Sequence, residues 1–277
     1  MSAYIVGIDG SGPSNAALDW AVARAVALST SVTLVHVIED EWGLVGSDFA
    51  REAMYAGEAL LQDAQERTRA MSPTVTLSAR ILHGSPVWEL ANACLDDDLL
   101  VVGTHKTGFL QGRVLGSRSV AIAGSAPCSI AVIPVGRSNS RHGVVAGIVR
   151  ADGMVSAVAA AAREAARIDE PLTLVHASPP RPGYTGRDGD DPASAQRLLL
   201  REAAAAAHAA APGVEVHSRV SGRKPVDALL DASRYATMLV LEPSRRTGPA
   251  VSMVGSTTHD VLMNINSPVL IARGTAV

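Results

Sequence analysis

Aromatic residues are scarce in this chain, making up 3% of its 277 residues. A core with so few rings must be built from Ala, Val, Leu and Ile, which suits helices packed closely on a sheet. Basic residues are not in excess either, and the net charge of -3 argues against a protein that binds nucleic acid. No apolar run approaches the length of a membrane span, and no signal peptide opens the chain, so we expect a cytoplasmic protein without a membrane partner.

Cysteine is equally scarce, with Cys94 and Cys128 each in an apolar setting. Because no second pair and no Cys-x-x-Cys spacing accompanies them, we predict two buried thiols rather than a disulfide or metal ligands. The histidines lack partners at ligand spacing, so no metal site is predicted. Ser11 lies outside any nucleophile-elbow pattern, so no catalytic residue is predicted.

The sequence contains an internal repeat that has the length of a domain. Three anchors recur in the same order after 139 or 140 residues: 33–36 at 173–176, 99–103 at 238–242, and Gly116-Ser117 at Gly255-Ser256. A period of this size predicts two related domains, 1–137 and 144–277, joined by a linker at 138–143. His36 and His176 end the first anchor in both copies, which favours a structural role at a strand end.

Apolar runs alternate with helical patterns in both copies. In the first copy the patterns predict strands at 4–8, 32–38, 75–82, 99–102 and 130–135, and helices at 14–28, 47–71, 86–95 and 117–123. In the second they predict strands at 144–149, 172–177, 214–220, 238–241 and 269–272, and helices at 155–168, 193–210, 225–233 and 257–264. Ser14 is the expected N-cap of the first helix. Alternation of this kind predicts the α/β class, with a parallel sheet covered on both faces.

Two segments of the first copy are expected to meet at the carboxyl ends of its strands, where parallel sheets bind ligands. The first carries Asp9, whose carboxylate could accept hydrogen bonds from an adenine amine or a ribose hydroxyl. The second runs from 103 to 117 and ends in Gly116-Ser117, which opens a helix whose free amides suit a phosphate. Ser117 could cap the helix or bond a phosphate, and His105 could donate to a phosphate or be exposed. The residues therefore indicate either a nucleotide-type anion site or two structural turns.

This arrangement resembles the universal stress protein family, over both copies. Its motif runs Gly103, two residues, Lys106, nine residues, then Gly116-Ser117, with Ala126-Pro127 before a last apolar strand. ATP-binding members of that family have a second glycine where Lys106 stands. Lys there costs about 1–2 kcal/mol if the backbone must be left-handed, and otherwise brings an ammonium group close to the phosphates.

The resemblance implies two tandem Rossmann-like domains, each a five-stranded parallel sheet of order 3-2-1-4-5 flanked by helices. It also implies ATP, with or without Mg, bound by the first copy. By position, Asp9 would contact the nucleoside and Val37 would lie near the adenine. Gly103, Gly116 and Ser117 would cradle the phosphates, with the amide of Arg118 close by. His105 and Lys106, from their own place in this loop, complete the expected set of nucleotide-binding residues.

The second copy departs much further from the motif. Val149 or Arg150 stands where Asp9 does, and Glu242 replaces Gly103. A carboxylate at this position would repel a phosphate by about 1 kcal/mol or more. We therefore predict a mainly structural second domain. The alternative is a different anion site, built from Arg150, Arg245 and Arg246.

The expected function is a stress-response role in which the first domain binds an adenine nucleotide. Occupancy would change domain or dimer geometry, which an unidentified protein partner would sense. No water-positioning base is evident, so the chain is at most a weak ATPase. The alternative is a dimeric scaffold that binds no nucleotide. The last strands, 130–135 and 269–272, are apolar edges expected to pair, either within one chain as a pseudo-dimer or between chains as a homodimer.

Overall fold

The computed structural model describes residues 3–39, 47–105, 117–136, 141–150, 154–179, 192–243 and 254–273. Its Cα positions group the chain into two compact units, and the main division falls after Gly136. Within the described residues, each unit has five strands and four helices that alternate along the chain.

The first unit is a parallel sheet with strand order 3-2-1-4-5. Tyr4 of the first strand lies between Val32 and Leu99 of its two neighbours, which fixes the register. Its elements are β1 (Ala3–Gly7), α1 (Gly12–Leu28), β2 (Ser31–Ile38), α2 (Ser47–Met71), β3 (Leu77–His83), α3 (Pro86–Asn92), β4 (Leu99–Thr104), α4 (Ser117–Ser125) and β5 (Ser129–Pro134).

The second unit repeats this arrangement, with strand order 8-7-6-9-10 in a parallel sheet. Its elements are β6 (Val144–Ile148), α5 (Met154–Arg167), β7 (Leu172–Ala177), α6 (Pro192–Ala210), β8 (Val216–Ser221), α7 (Pro225–Ser233), β9 (Met238–Leu241), α8 (Ser256–Met263) and β10 (Val269–Ile271). The predicted α/β class, with parallel strands and intervening helices, is confirmed.

The core of each unit is aliphatic, as the shortage of aromatic residues requires. In the first unit α1 packs on β4 and β5, and Ala17, Ala21 and Ala25 of this helix are fully buried. Small side chains allow the helix backbone to approach the sheet closely. Cys94 and Cys128 are buried free thiols, as predicted. Among the helices in the described ranges, none has both the length and the apolar character needed to cross a bilayer.

The first helix begins earlier than the sequence predicts, and Ser14 is not its N-cap. Ser11 caps α1: its backbone is extended, and its Oγ accepts a hydrogen bond from the Ser14 amide at 3.2 Å. Pro13 occupies the first turn, where its fixed φ suits a helix and its missing N–H costs nothing. The buried Ser14 hydroxyl instead accepts a hydrogen bond from the Asp9 amide at 3.2 Å.

Matching contacts hold the strand ends of the two units. His36 Nδ1 donates to the carbonyl of Ile8 at 2.8 Å, and His176 Nδ1 donates to that of Ile148 at 2.9 Å. Both histidines thus tie the second strand of a unit to the residue at the end of its first strand. The structural role predicted for this pair is confirmed.

Candidate functional site

A cavity of about 210 Å³ lies in the first unit at the carboxyl ends of β1, β2 and β4. β1 has β2 on one side and β4 on the other, so strand order reverses at this point. Crevices at such reversals are the usual ligand sites of open parallel sheets. The apolar part of the lining comes from Ile8, Val35, Val37, Leu90, Val102 and Ile122.

Asp9 stands at the rim of this cavity, directly after β1, and its side chain is exposed. Its Oδ1 accepts a hydrogen bond from the Ser11 amide at 3.0 Å, which closes a turn through Gly10. Gly10 has a φ of 77°, a left-handed conformation that glycine adopts without strain. Among the described residues, the second carboxylate oxygen has no hydrogen-bond partner. The turn therefore holds an acceptor at the cavity rim.

Gly103 is the next-to-last residue of β4, and it lies against the first turn of α1. A Cβ atom at this position would stand 2.2 Å from the carbonyl oxygen of Pro13 and 2.7 Å from the amide nitrogen of Ser14. These are backbone atoms, which cannot rotate out of the way as a side chain can. The glycine predicted from the phosphate motif therefore has a steric function in the described structure, because it lets α1 start against β4.

An ion pair also lines the cavity. Arg118, in the first turn of α4, places Nη2 at 2.8 Å from Oε1 and 3.1 Å from Oε2 of Glu39, the residue that follows β2. Both side chains line the cavity and reach solvent. The sequence analysis predicts a role for the Arg118 amide, but it does not predict Glu39 as a residue of the site. The position of Glu39 at the carboxyl end of a strand next to β1 was the signal that could have found it.

The predicted site residues that the structure describes come together at this cavity. Asp9, Val37, Gly103, His105 and Arg118 all line it, and His105 is exposed. Lys106 and Gly116 lie outside the described residues, and of Ser117 only the backbone, at the start of α4, is described. In the described ranges, no three His, Cys, Asp or Glu side chains cluster closely enough to hold a metal ion.

The equivalent position of the second unit has different chemistry. Because His176 bonds Ile148 as His36 bonds Ile8, the residue that matches Asp9 is Val149, and not Arg150. The Val149 side chain is 58% exposed and offers no acceptor. Glu242 stands at the place of Gly103, one residue beyond the end of β9. Arg245 and Arg246, part of the alternative anion site, lie outside the described residues.

Comparison with known proteins identifies the family. The sequence model of the universal stress protein family matches residues 4–134 and 144–273, and the chain belongs to this family as a tandem pair of its domains. A universal stress protein of Mycobacterium tuberculosis strain H37Rv is 30% identical over 285 residues, which cover 97% of this chain and 95% of the relative. One from Mycolicibacterium smegmatis is 26% identical over 290 residues, which cover 97% and 96%.

A solved structure shares the fold over the whole chain. The crystal structure of a universal stress protein from Archaeoglobus fulgidus DSM 4304 matches with a TM-score of 0.77 over 98% of each chain, at 17% sequence identity.

Proposed function

We propose that the first unit binds ATP in the cavity at the carboxyl ends of β1, β2 and β4, and that the bound nucleotide regulates the protein. One observation carries this proposal: apolar side chains, the carboxylate of Asp9 and the guanidinium of Arg118 all line one cavity, at the point where strand order reverses. Pockets for small molecules combine these features, with apolar lining for burial and a few polar groups for orientation.

The described residues fit the nucleoside part of an adenine nucleotide. Val37 and its apolar neighbours offer a surface for the flat base, and the free oxygen of Asp9 suits a ribose hydroxyl or the adenine amine. The phosphates would extend toward the segment between His105 and Arg118, where the family motif has its glycines. Mg enters this proposal only as the ion that accompanies ATP phosphates. Hydrolysis is slow or absent in this proposal, because no group at the site is assigned to position water.

We assign a mainly structural role to the second unit. Val149 cannot replace the acceptor of Asp9, and the carboxylate of Glu242 stands where the family motif has a glycine. The proposal keeps the domain boundaries 1–137, 138–143 and 144–277. We also propose that β5 and β10 pair, either within one chain or between two chains. Nucleotide occupancy would alter this pairing, and a protein partner in the cytoplasm would sense the change.

The second candidate function is a dimeric scaffold that binds no nucleotide. The specific observation in its favour is that the second unit keeps the framework contact of His176 while it lacks the Asp9 acceptor. That half of the chain then retains the fold without the site, as a protein used for interaction would.

Nucleotide content is the first test. The freshly purified protein is denatured, and the released nucleotide is identified and counted by chromatography and mass spectrometry. We expect about one ATP per chain, since one unit carries the acceptor. Two per chain would contradict the structural role of the second unit. If none is released and added Mg-ATP does not bind, the scaffold is the better account.

Two substitutions of Asp9 connect this binding to the cavity. Asp9→Asn keeps an oxygen that can accept from the Ser11 amide, so the turn is preserved while the charge is removed. Asp9→Ala removes both the charge and the turn contact. Loss of a hydrogen bond to a charged group should weaken ATP binding by about tenfold or more in both variants. The thermal midpoint of the Asn variant should stay near that of the parent protein, and full affinity in either variant would contradict the site.

A further inference from the structure

The ion pair of Glu39 and Arg118 connects two segments that border the cavity. Glu39 directly follows β2, and Arg118 lies in the first turn of α4, the helix that follows β4. Because β1 lies between β2 and β4, the pair joins segments from both sides of the strand that leads to Asp9. Both side chains line the cavity, and the pair is exposed to solvent, 67% for Arg118 and 40% for Glu39.

The charges at this rim are unbalanced for an anionic ligand. Among the described lining residues, Asp9 and Glu39 are carboxylates and Arg118 is the single Lys or Arg. The guanidinium is in contact with both oxygens of Glu39. Among the described residues, a phosphate entering the cavity therefore meets two negative groups, and the one described cation of the lining is shared with one of them.

We propose that Glu39 and Arg118 form a latch: Glu39 holds the guanidinium until the phosphates of a nucleotide displace the carboxylate from Arg118. This inference rests on the proposed function and names the residues that would distinguish a nucleotide from a nucleoside. The latch makes Arg118 the phosphate-sensing cation of the site. It also makes Glu39 an internal competitor that lowers affinity for every ligand whose anionic group needs Arg118.

The exposure of the pair makes such an exchange feasible. Ion pairs open to solvent are weak, because water screens the charges and the side chains lose freedom when they pair. A fully buried pair would resist displacement, since each ion left alone would lack solvation. The latch therefore opens at small cost and shifts affinity modestly, which suits a site that responds to changing nucleotide concentrations.

The test compares ATP with adenosine on the full chain by isothermal titration calorimetry. Glu39→Gln keeps the length of the side chain and its ability to accept a hydrogen bond, but removes the charge. It should tighten ATP binding about two- to fivefold, the range expected for release of an exposed pair. Adenosine, which lacks phosphates, should bind unchanged. Glu52→Gln, at an exposed position of α2, removes a charge away from the cavity and serves as the matched control.

The double variant separates the latch from simple repulsion. Arg118→Met should weaken ATP binding about tenfold and leave adenosine binding unchanged, because it removes a charged contact to phosphate. In the Arg118→Met background, Glu39→Gln should no longer tighten ATP binding, since the competitor has nothing left to occupy. If the gain persists in that background, Glu39 acts by direct repulsion of the ligand, and the latch is wrong.

The outcomes also separate this inference from the function on which it rests. If neither adenosine nor ATP binds the parent protein, the proposed function fails and the latch fails with it. If both ligands bind, but the ratio of their affinities is the same in the parent and in Glu39→Gln, only the latch is overturned.

Discussion

Replacement of Gly103 by alanine should destabilise the first unit severely, although alanine is the smallest change possible. The added Cβ would lie 2.2 Å from the carbonyl oxygen and 2.3 Å from the carbonyl carbon of Pro13, and 2.7 Å from the amide nitrogen of Ser14. Contacts below about 3.0 Å do not occur for real Cβ atoms, so the first turn of α1 or the end of β4 must move. Neither is free to do so, because α1 packs on both β4 and β5.

The magnitude follows from the atoms involved. Overpacking of a well-packed core, with the shifts of side chain and backbone that it forces, costs about 1–3 kcal/mol. Since all the close atoms here belong to backbone, we expect about 3 kcal/mol for Gly103→Ala. Gly12→Ala is the matched control: apart from its chain neighbours, a Cβ at Gly12 meets no atom within 4 Å, so the change adds only the mild contact of a helical residue with the ring of the following Pro13.

Urea denaturation followed by circular dichroism measures both variants. We expect a much lower midpoint for Gly103→Ala, a midpoint near that of the parent protein for Gly12→Ala, and unchanged slopes. Gly103→Ala should also lose ATP binding, because a displaced first turn carries the Ser14 hydroxyl away from the Asp9 amide. A Gly103→Ala midpoint that equals the Gly12→Ala midpoint would refute the steric reasoning. Retained stability with lost binding would instead point to a direct phosphate contact.

Two further predictions concern buried polar groups of the first unit. Asp98 is buried and accepts hydrogen bonds from two backbone amides, at 2.8 and 2.9 Å. Asp98→Ala should therefore cost about 1–3 kcal/mol by urea denaturation, while Asp97→Ala, at an exposed site, should be near neutral. Cys94 and Cys128 should resist iodoacetamide at pH 8 until guanidinium unfolds the chain, because both thiols are buried and the reagent cannot reach them. Labelling of either thiol in the folded protein would contradict this.

The fold was predictable because its signals are local and are repeated. Strand runs such as 99–102 are continuously apolar, helices between them carry small apolar residues, and the second copy presents the same order again. The start of α1 was missed because Ser11 and Ser14 are both plausible caps. The choice between them depends on Pro13, whose preference for the first turn moves the start toward Ser11.

The site was predictable only in part, for a physical reason. Asp9 and Gly103 end neighbouring strands, so the topology alone brings them together. The contact that makes Gly103 necessary is with the backbone of another element, and no sequence pattern reports such an approach. Glu39 was missed for the same reason, because its partner Arg118 is 79 residues away and meets it only through the fold.

The two copies together separate what the fold needs from what the site needs. Gly7 and Gly147 both lie against leucine side chains: an added Cβ would lie 3.2 Å from Leu90 in the first unit and 2.9 Å from Leu229 in the second. The histidine bonds at the strand ends are also common to both units. These contacts persist where the acceptor of Asp9 is absent, so the sheet needs them whether or not a ligand binds, although Gly7 and His36 also line the cavity of the first unit.

Residues that differ between the copies are therefore the ones to connect with binding. Asp9 becomes Val149, and Thr257 stands at the place of Arg118 when the chain is offset by 139 residues. The change at Asp9 removes the proposed nucleoside acceptor, and the change at Arg118 removes the proposed phosphate-sensing cation. The second unit therefore has the strand-end contacts of the first but neither of the two groups proposed to bind the nucleotide. For this reason we expect one ATP per chain.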